Sequence, residues 1–295
     1  MKILKVISYA VVFIEDRWHL HIFPAKIYLK AAYLVSFNRR LHLKYPESFT
    51  EKLQWMKIYD RNPLYTVISD KKRVKEYIKE IVGEEYIIPS IGCWDEVEEI
   101  QIDKLPTRFV IKCTHDCEST LFVDKTTSNW RGIQNSIRLS LRKNYYFVTR
   151  EWCYKNITPM VIVEPFLQDN NGQLWDYKFF CFHGEVKFFK IDFDRFTNHM
   201  ANYFDPSGNY LDFGEAAFPR DPDREVKMPD KLPEMIWIAE ELSSGFNFLR
   251  VDMYYIDGEI KVGELTVYPG SGLLRYDPDE WDYIIGEYLS LQRHP

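Results

Sequence analysis

The sequence predicts an α+β protein in which a helical segment precedes two lobes that each combine strands with helices. Three observations support this class. The first sixty residues read as helices, the second half is rich in short strands joined by tight turns, and aromatic residues form 16% of the chain, enough for well-filled cores. We expect the helical segment at 1–60, a smaller lobe at 61–165 and a larger lobe at 166–295.

The N-terminal residues 1–45 combine Lys and Arg with aliphatic and aromatic side chains. The uncharged run from Val6 to Ile14 is too short to span a bilayer and is not followed by the cleavage pattern of a signal sequence. Two interpretations remain open. We favour a helix packed on its own domain, and the alternative is a helix that lies on a membrane or on a partner.

Charge and cysteine content exclude some classes of protein. A formal net charge of −6 argues against a broad nucleic-acid-binding surface. Five scattered cysteines argue against a disulfide framework and favour a reducing compartment, which predicts a cytoplasmic protein, with attachment to the inner membrane face as an alternative. Cys113, His115 and Cys117 are close together, but no second ligand pair follows at zinc spacing, so we do not predict a zinc site.

Start and stop signals define two helices ahead of the first strands. Ser48 and Glu51 have the spacing of a capping box, which predicts a helix over 49–59. A second helix is predicted over 71–82, where apolar residues recur at helical spacing and a glycine follows. Residues 86–91 then read as a short edge strand.

The smaller lobe contains a strand with a lysine near its exit. Residues 108–113 alternate apolar side chains with Lys112 on the opposite side, and a polar loop, 114–120, leads to a second strand at 121–123. This layout predicts a loop folded over phosphate groups. The alternative is an ordinary lysine at the edge of a sheet.

The larger lobe begins after a buried strand, 159–167, that ends near Glu164. A hairpin turning at His183-Gly184 follows, and 205–230 reads as a long surface loop. Charged residues share one face on each strand of this hairpin: Asp176 and Lys178 on the first, and Lys190, Asp192 and Asp194 on the second.

The most informative stretch is 248–272, which reads as two strands followed by a glycine-broken loop. Four polar residues occupy alternate strand positions: Arg250, Asp252, Glu264 and Thr266. A strict two-residue turn pairs Asp252 with Gly263 and puts Asp252 and Glu264 on opposite faces. A three-residue loop closing on Gly258 pairs Asp252 with Val262 and gathers all four on one face. We predict this second register because it separates polar from apolar residues.

A shared polar face can carry phosphate chemistry. Asp252 and Glu264 offer the oxygen ligands that suit Mg²⁺ bridging phosphates, and Lys112 and Lys178 can neutralise phosphate oxygens. Arg250, with backbone N–H groups of the glycine-broken loop, can stabilise a developing negative charge. The alternative is a solvated outer face with an ordinary Arg–Glu pair.

Together these features resemble the ATP-grasp superfamily. They resemble more closely its TupA-like branch, found in bacterial polysaccharide gene clusters and named for teichuronopeptide synthesis. The resemblance runs from about Pro46 to Leu291. The stretches that carry it are FTEKLQWMKIYDRNPLYT, RFVIKCTH, NYYFVTREW, DYKFFCFHGE, DRFTNHMANYFD and FLRVDMYYIDGEIKVGELTVYPGSG.

The resemblance implies an ATP-grasp fold, in which two α+β lobes hold ATP between them, with ATP and Mg²⁺ as cofactors. It also implies roles for individual residues. These are nucleotide contacts from Lys112, His115, Ser119, Glu164, Phe166, Leu167, Asp176 and Lys178, catalytic roles for Arg250, Lys178 and Arg195, and metal binding by Asp252 and Glu264.

Two departures from the family pattern bear on ATP use. Thr266 stands where many members have Asn, which makes it a poorer neutral oxygen ligand for a second metal ion. The loop 114–120 has no glycine, although glycine lets backbone N–H groups approach phosphate. Asp116 and Glu118 in this loop would repel a polyphosphate unless a cation intervenes.

The implied reaction is an ATP- and Mg²⁺-dependent ligation that forms an amide through an acyl phosphate. Its expected partners are a small-molecule or saccharide carboxylate, such as a uronic acid or amino acid of a surface polysaccharide, and an amine. Residues 1–45 offer a possible contact with the membrane or the polysaccharide machinery. The alternatives are a saccharide-modifying phosphoryl or glycosyl transferase and a non-catalytic nucleotide-binding protein.

Overall fold

The structure is a computed structural model that describes residues 2–18, 21–168, 174–194 and 198–291. The helices are α1 (Lys2–Trp18), α2 (Ala25–Phe37), α3 (Phe49–Tyr59), α4 (Leu64–Ser69), α5 (Arg73–Ile81), α6 (Trp130–Leu141), α7 (Tyr146–Thr149), α8 (Leu232–Ser243) and α9 (Trp281–Tyr288). The strands are β1 (Gly92–Trp94), β2 (Arg108–Cys113), β3 (Leu121–Asp124), β4 (Val161–Pro165), β5 (Asp176–Phe182), β6 (Glu185–Phe193), β7 (Met200–Phe204), β8 (Tyr210–Leu211), β9 (Gly214–Glu215), β10 (Phe248–Ile256), β11 (Glu259–Thr266) and β12 (Tyr276–Asp277).

The larger sheet has the strand order β11-β10-β5-β6-β7-β8, and every neighbouring pair in it is antiparallel. Its central strand β5 is buried along its whole length. Phe180 and Phe182 from this strand pack against rings of neighbouring strands, and α8 contacts β5, β6 and β10. The aromatic residues of the sequence are thus concentrated in this core, as its composition predicted.

The smaller sheet has the order β1-β4-β2-β3 and its own core, to which Phe109 and Ile111 contribute. Helix α6 packs on it through Ile137, which is fully buried. Alternation along β2 places Phe109, Ile111 and Cys113 in this core and leaves Lys112 on the opposite side, as the sequence indicated.

The helices before the smaller sheet join the core of the larger one. Tyr33, Phe49 and Met56 belong to the larger core together with residues of β5 and β10. The predicted capping box is present, because Ser48 Oγ accepts from the N–H of Glu51 and the Glu51 carboxylate accepts from the N–H of Ser48. Buried Asp282 on α9 accepts from the N–H of Thr50, which fastens the tail helix to α3.

Two sequence predictions fail in irregular segments. Within 86–91 no strand forms; a short 3-10 turn, Glu84–Tyr86, precedes Ile87, whose backbone makes a single parallel bridge with Val262. The surface loop expected at 205–230 contains β8 and β9, and Phe213 and Glu215 in it are buried. Its many prolines and acidic residues concealed these short strands, of which β8 pairs with the preceding strand β7 and β9 with the distant strand β12.

Candidate active site

The hairpin of β10 and β11 closes with a two-residue turn. Ile256 pairs with Glu259, which leaves Asp257 and Gly258 as the turn residues, with φ of 52° and 87°. Positive φ at both positions is the signature of a type I′ turn, whose twist matches that of the flanking strands. The predicted three-residue loop closing on Gly258 is therefore wrong.

A β-bulge further along β11 restores the shared face. Met253 pairs with Val262, whereas Asp252 pairs with Glu264, so that Gly263 is the extra residue. A side chain at position 263 would place its Cβ 2.8 Å from the ring of Tyr254, so glycine suits this bulge. Asp252 stands directly opposite Glu264, and the prediction that the two carboxylates share a face is confirmed.

Arg250 and Lys178 hold Asp252 between them. Arg250 Nε and Nη2 donate to the two oxygens of Asp252 at 2.6 and 2.7 Å, and Lys178 Nζ donates to Asp252 Oδ2 at 2.9 Å. Burial alone would raise the pKa of Asp252, but the two cations outweigh it and hold the pKa below its usual value. Asp252 is therefore an ionised buried carboxylate.

The charged face continues across β5 and β6. Lys178 also pairs with Asp176 and lies 3.5 Å from Asp192, and Lys190 lies 3.4 Å from Asp192. Burial raises the pKa of Asp192, yet Lys190, Lys178 and His199 lower it to about 2. The alternative of a solvated outer face does not apply, because these carboxylates and lysines are almost fully buried.

Glu264 differs from the other acids of this face. Its side chain is partly exposed, and within the described part of the chain its carboxylate makes no hydrogen bond or ion pair. Its cross-strand partner Asp252, by contrast, is engaged by two cations. Glu264 is consequently the carboxylate that can bind a cation without first losing a protein partner.

Beside the smaller sheet, the carboxylate of Glu164 is shared by two lysines. Lys112 Nζ lies 2.6 Å from Glu164 Oε2, and Lys75 Nζ lies 2.5 Å from Glu164 Oε1. Burial would raise the pKa of Glu164, but the two lysines outweigh it and lower the pKa. Burial lowers the pKa of Lys75, which Glu164 only partly offsets because Lys112 is also near. No local sequence pattern identifies Lys75 as a partner of Glu164, because it lies on helix α5 and Glu164 on strand β4.

A small cleft brings Glu264 of the hairpin together with Lys75, Lys112 and Glu164, whereas Arg250, Asp252 and Lys178 do not line it. Its polar lining includes Lys71, Lys75, Lys112 and Glu164, and Glu264 from the hairpin. Its cavity volume is about 20 Å³, which is room for a single water molecule. The cleft therefore joins the predicted phosphate lysine to the predicted metal ligand, and a nucleotide can enter only when its walls separate.

The loop 114–120 is tightly bonded to itself and to its surroundings. Ser119 Oγ accepts from the N–H of Cys113 at 2.7 Å and donates to Asp116 Oδ1 at 2.6 Å. His115 Nε2 lies 3.0 Å from the carbonyl oxygen of Lys143. Both side chains are buried, and neither lines the cleft that contains Lys112. Their predicted contact with phosphate stays a prediction.

Three further predicted residues have different positions. Phe166 stacks beneath Arg108, whose guanidinium carbon is 3.9 Å from the ring centroid, and its ring also meets Phe122. Leu167 is partly exposed beyond the end of β4. Arg195 lies outside the described residues.

The loop Pro269–Gly272 is held by side chains that the sequence analysis missed. Gly270, Ser271 and Gly272 all have positive φ, an uncommon conformation for serine. Lys57 Nζ donates to the carbonyl oxygen of Ser271 at 2.8 Å, and Gln54 Nε2 donates to the same oxygen at 2.9 Å. Burial lowers the pKa of Lys57 to about 8, against the opposing effect of Glu151.

Comparison with models of known protein families identifies the family of this chain. The model of the family described as TupA-like ATP-grasp matches residues 51–290. The chain belongs to this family. The predicted ATP-grasp fold class is thereby confirmed, and the sheets, the hairpin and the cleft all lie within the matched range, whereas α1 and α2 precede it.

Similar solved structures share little sequence with this ATP-grasp chain. The D-alanine–D-alanine ligase of Bacillus anthracis complexed with ATP is 16% identical, with a TM-score of 0.42, over 77% of this chain and 64% of that one. The ATP-grasp ligase PsnB complexed with a minimal precursor is 12% identical, with a TM-score of 0.40, over 74% of this chain and 59% of that one. The chain thus spans less than two thirds of the length of these two ligases. None of the curated proteins compared with the sequence matches it.

Proposed function

We propose that this ATP-grasp protein is an ATP- and Mg²⁺-dependent ligase that joins a carboxylate to an amine. In the first step, a carboxylate oxygen bonds to the γ-phosphorus of ATP and ADP leaves. In the second, the amine attacks the acyl carbon, inorganic phosphate leaves, and the amine loses a proton. The observation that carries the proposal is the cleft that Lys112 and Glu264 line together.

The donor set of the hairpin fits a magnesium ion. Glu264 offers a carboxylate with no protein partner among the described residues, and Asp252 and Thr266 add oxygens on the same face. Carboxylate and hydroxyl oxygens are ligands that Mg²⁺ accepts. Asp252 and Glu264 would hold the ion, which when bound neutralises phosphate charge.

The remaining residues divide the work of binding and charge stabilisation. Lys112 and Lys178 are proposed to bind phosphate oxygens, and Arg250 to stabilise negative charge on the transferring group. This requires exchange of partners, because Lys112 is paired with Glu164, and Lys178 and Arg250 with Asp252. A polyanion that enters the cleft can supply the replacement charge.

Other assignments rest on the family resemblance. Glu164, Phe166 and Leu167 are proposed to line the adenine hinge, and Asp176 to lie near the ribose. Arg195 remains a proposed catalytic residue. Ser119 is the weakest member of the proposed nucleotide site because its buried hydroxyl already bonds within the protein. His115 Nε2 lies beside a backbone carbonyl oxygen, whereas its Nδ1 is buried without a hydrogen-bond partner among the described residues.

The proposed substrates are a uronic acid or amino acid of a surface polysaccharide and an amine, and the proposed location is the cytoplasm. The test incubates the protein with MgATP, candidate amines and uronic acids whose carboxylate is labelled with oxygen-18. Ligation through an acyl phosphate yields ADP, an amide and labelled inorganic phosphate. A phosphorylated or glycosylated sugar would instead favour the transferase, and a chain that binds nucleotide without turnover would favour the non-catalytic alternative.

A further inference from the structure

The first helix is attached to the protein by its polar side. Among the residues of α1 whose burial the structure describes, Ser8, Val11 and Glu15 are buried, and two of these three are polar. The Glu15 carboxylate pairs with the buried guanidinium of Arg150 and accepts from the N–H of Phe23 at 2.7 Å. Burying both partners of an ion pair costs desolvation free energy, and close contact between the two charges is needed to offset it. The helix is therefore anchored in one orientation by Glu15.

That orientation turns the apolar stripe of α1 outward. Apolar residues recur at helical spacing on the side away from the anchor, and all are exposed: Ile3, Val6, Ile7, Ala10 and Phe13. The exposed fractions of Ile3, Val6 and Phe13 are 79%, 68% and 59%. Water-soluble surfaces rarely expose a continuous run of large aliphatic and aromatic side chains without a partner.

The surrounding charges identify the partner. Residues 1–45 contain eight Lys or Arg and only two acidic residues, although the whole chain has a formal net charge of −6. Exposed cations of the segment include Lys26, Lys30 and Lys44. Exposed apolar residues Ile22 and Ile27 lie close to them in sequence. An apolar stripe within a locally basic segment of an acidic protein is complementary to an anionic lipid surface.

We propose that α1 lies on the surface of an anionic phospholipid bilayer, with its outward stripe among the acyl chains and the exposed Lys26, Lys30 and Lys44 at the headgroups. The described part of the chain contains no helix long and apolar enough to span a membrane, so α1 attaches without crossing it. The segment precedes the family match at residue 51. Lipid attachment is thus a property of the N-terminal segment and is separable from the proposed ligase site.

The test measures co-sedimentation of the full chain with vesicles of phosphatidylcholine alone and of phosphatidylcholine with phosphatidylglycerol. We expect binding to the anionic vesicles that is roughly tenfold tighter than to the neutral ones and weakens as salt is added. The double variant Ile7→Glu/Phe13→Glu should lose binding to both. Lys26→Glu/Lys30→Glu should lose only the preference for anionic vesicles.

The matched control is Leu139→Glu on α6, which changes a similarly exposed leucine (60%) outside the N-terminal segment. It should bind vesicles like the unmodified chain, and circular dichroism should show that all variants keep their helices. Failure of the unmodified chain to sediment with anionic vesicles would overturn the proposal. So would a dimer in light scattering that Ile7→Glu/Phe13→Glu converts to a monomer without any vesicle binding, which would assign the stripe to a second copy of the chain.

Discussion

The face of the larger sheet and the loop 114–120 both combine buried acids with hydrogen-bond donors, but they differ in how those groups are satisfied. In the loop, Ser119 and Asp116 bond to each other and Ser119 also bonds to the backbone, although His115 Nδ1 is buried without a hydrogen-bond partner among the described residues. On the sheet, Asp252 forms ion pairs with Lys178 and Arg250. Glu264, directly across from it, makes no hydrogen bond or ion pair through its side chain within the described chain. The carboxylate of Glu264 is therefore a better candidate for contact with a ligand than the hydroxyl of Ser119, which is already bonded within the protein.

The largest effect is expected from Glu264→Gln. The substitution keeps the size of the side chain and removes the charge of a carboxylate that makes no hydrogen bond or ion pair within the described chain, so turnover should fall by roughly 100-fold or more, while unfolding by urea is unchanged. The measurement is ADP release in the ligation assay. Glu259→Gln, an exposed position on the same hairpin, is the control and should retain activity. Full activity of Glu264→Gln would mean that the face of the larger sheet and the loop 114–120 no longer differ as candidate binding sites.

Lys112→Met tests the side of the cleft that is formed by the smaller sheet. Loss of this cation should weaken binding of MgATP by roughly 30-fold, because one charge-assisted contact to phosphate is removed. Isothermal titration with a non-hydrolysable ATP analogue measures the affinity. The exposed Lys104→Met is a matched control. Equal affinities for the two variants would mean that the Lys112–Glu164 pair is structural.

Asp192→Asn tests how strongly the sheet charges stabilise the fold. The pKa of Asp192 is about 2 in the folded protein, below the ordinary value near 4, so the carboxylate stabilises the fold above pH ~4. The stabilisation, about 2 kcal/mol at pH 7, should fade as the pH drops from ~4 to ~2. Urea unfolding across this range should therefore show that Asp192→Asn is less stable than the unmodified chain at pH 7. The difference between their free energies of unfolding should narrow in acid.

The exposed Asp223→Asn serves as the reference for that experiment and should not change stability. A gap between Asp192→Asn and the unmodified chain that stays constant from pH 7 to pH 2 would show that the amide is destabilising for reasons of packing. The ion pairs of Asp192 would then contribute negligibly to the free energy of unfolding.

The smallest effect is expected from Ser119→Ala in the loop. Removing a buried hydroxyl that makes two hydrogen bonds should cost about 1–2 kcal/mol of the free energy of unfolding. The affinity for MgATP should stay within about twofold, because the hydroxyl is occupied inside the loop. Ser207→Ala, at an exposed turn, is the control. A selective loss of nucleotide affinity in Ser119→Ala would instead support the phosphate-binding role predicted from sequence.

Much of the fold followed from local patterns. The capping box at Ser48 and Glu51, the hairpin at His183-Gly184 and the alternation along β2 depend on residues close in sequence, and each is present. The shared face of Asp252 and Glu264 was also predicted, although for the wrong reason. The sequence does not reveal that Gly263, and not the turn, supplies the extra residue, because a bulge depends on the crowding beside Tyr254.

The sequence by itself determined strands β2 to β6, β10 and β11, the ATP-grasp resemblance and the acids and lysines that belong on one face, since periodicity and spacing are local properties. Only the tertiary structure decided which of those groups are satisfied. It joined Lys75 on a helix to Glu164 on a strand, buried Lys57 under the loop of Ser271, and turned the apolar side of α1 outward through Glu15. Each depends on contacts between residues far apart in the chain, and desolvation of their charges is set by everything packed around them.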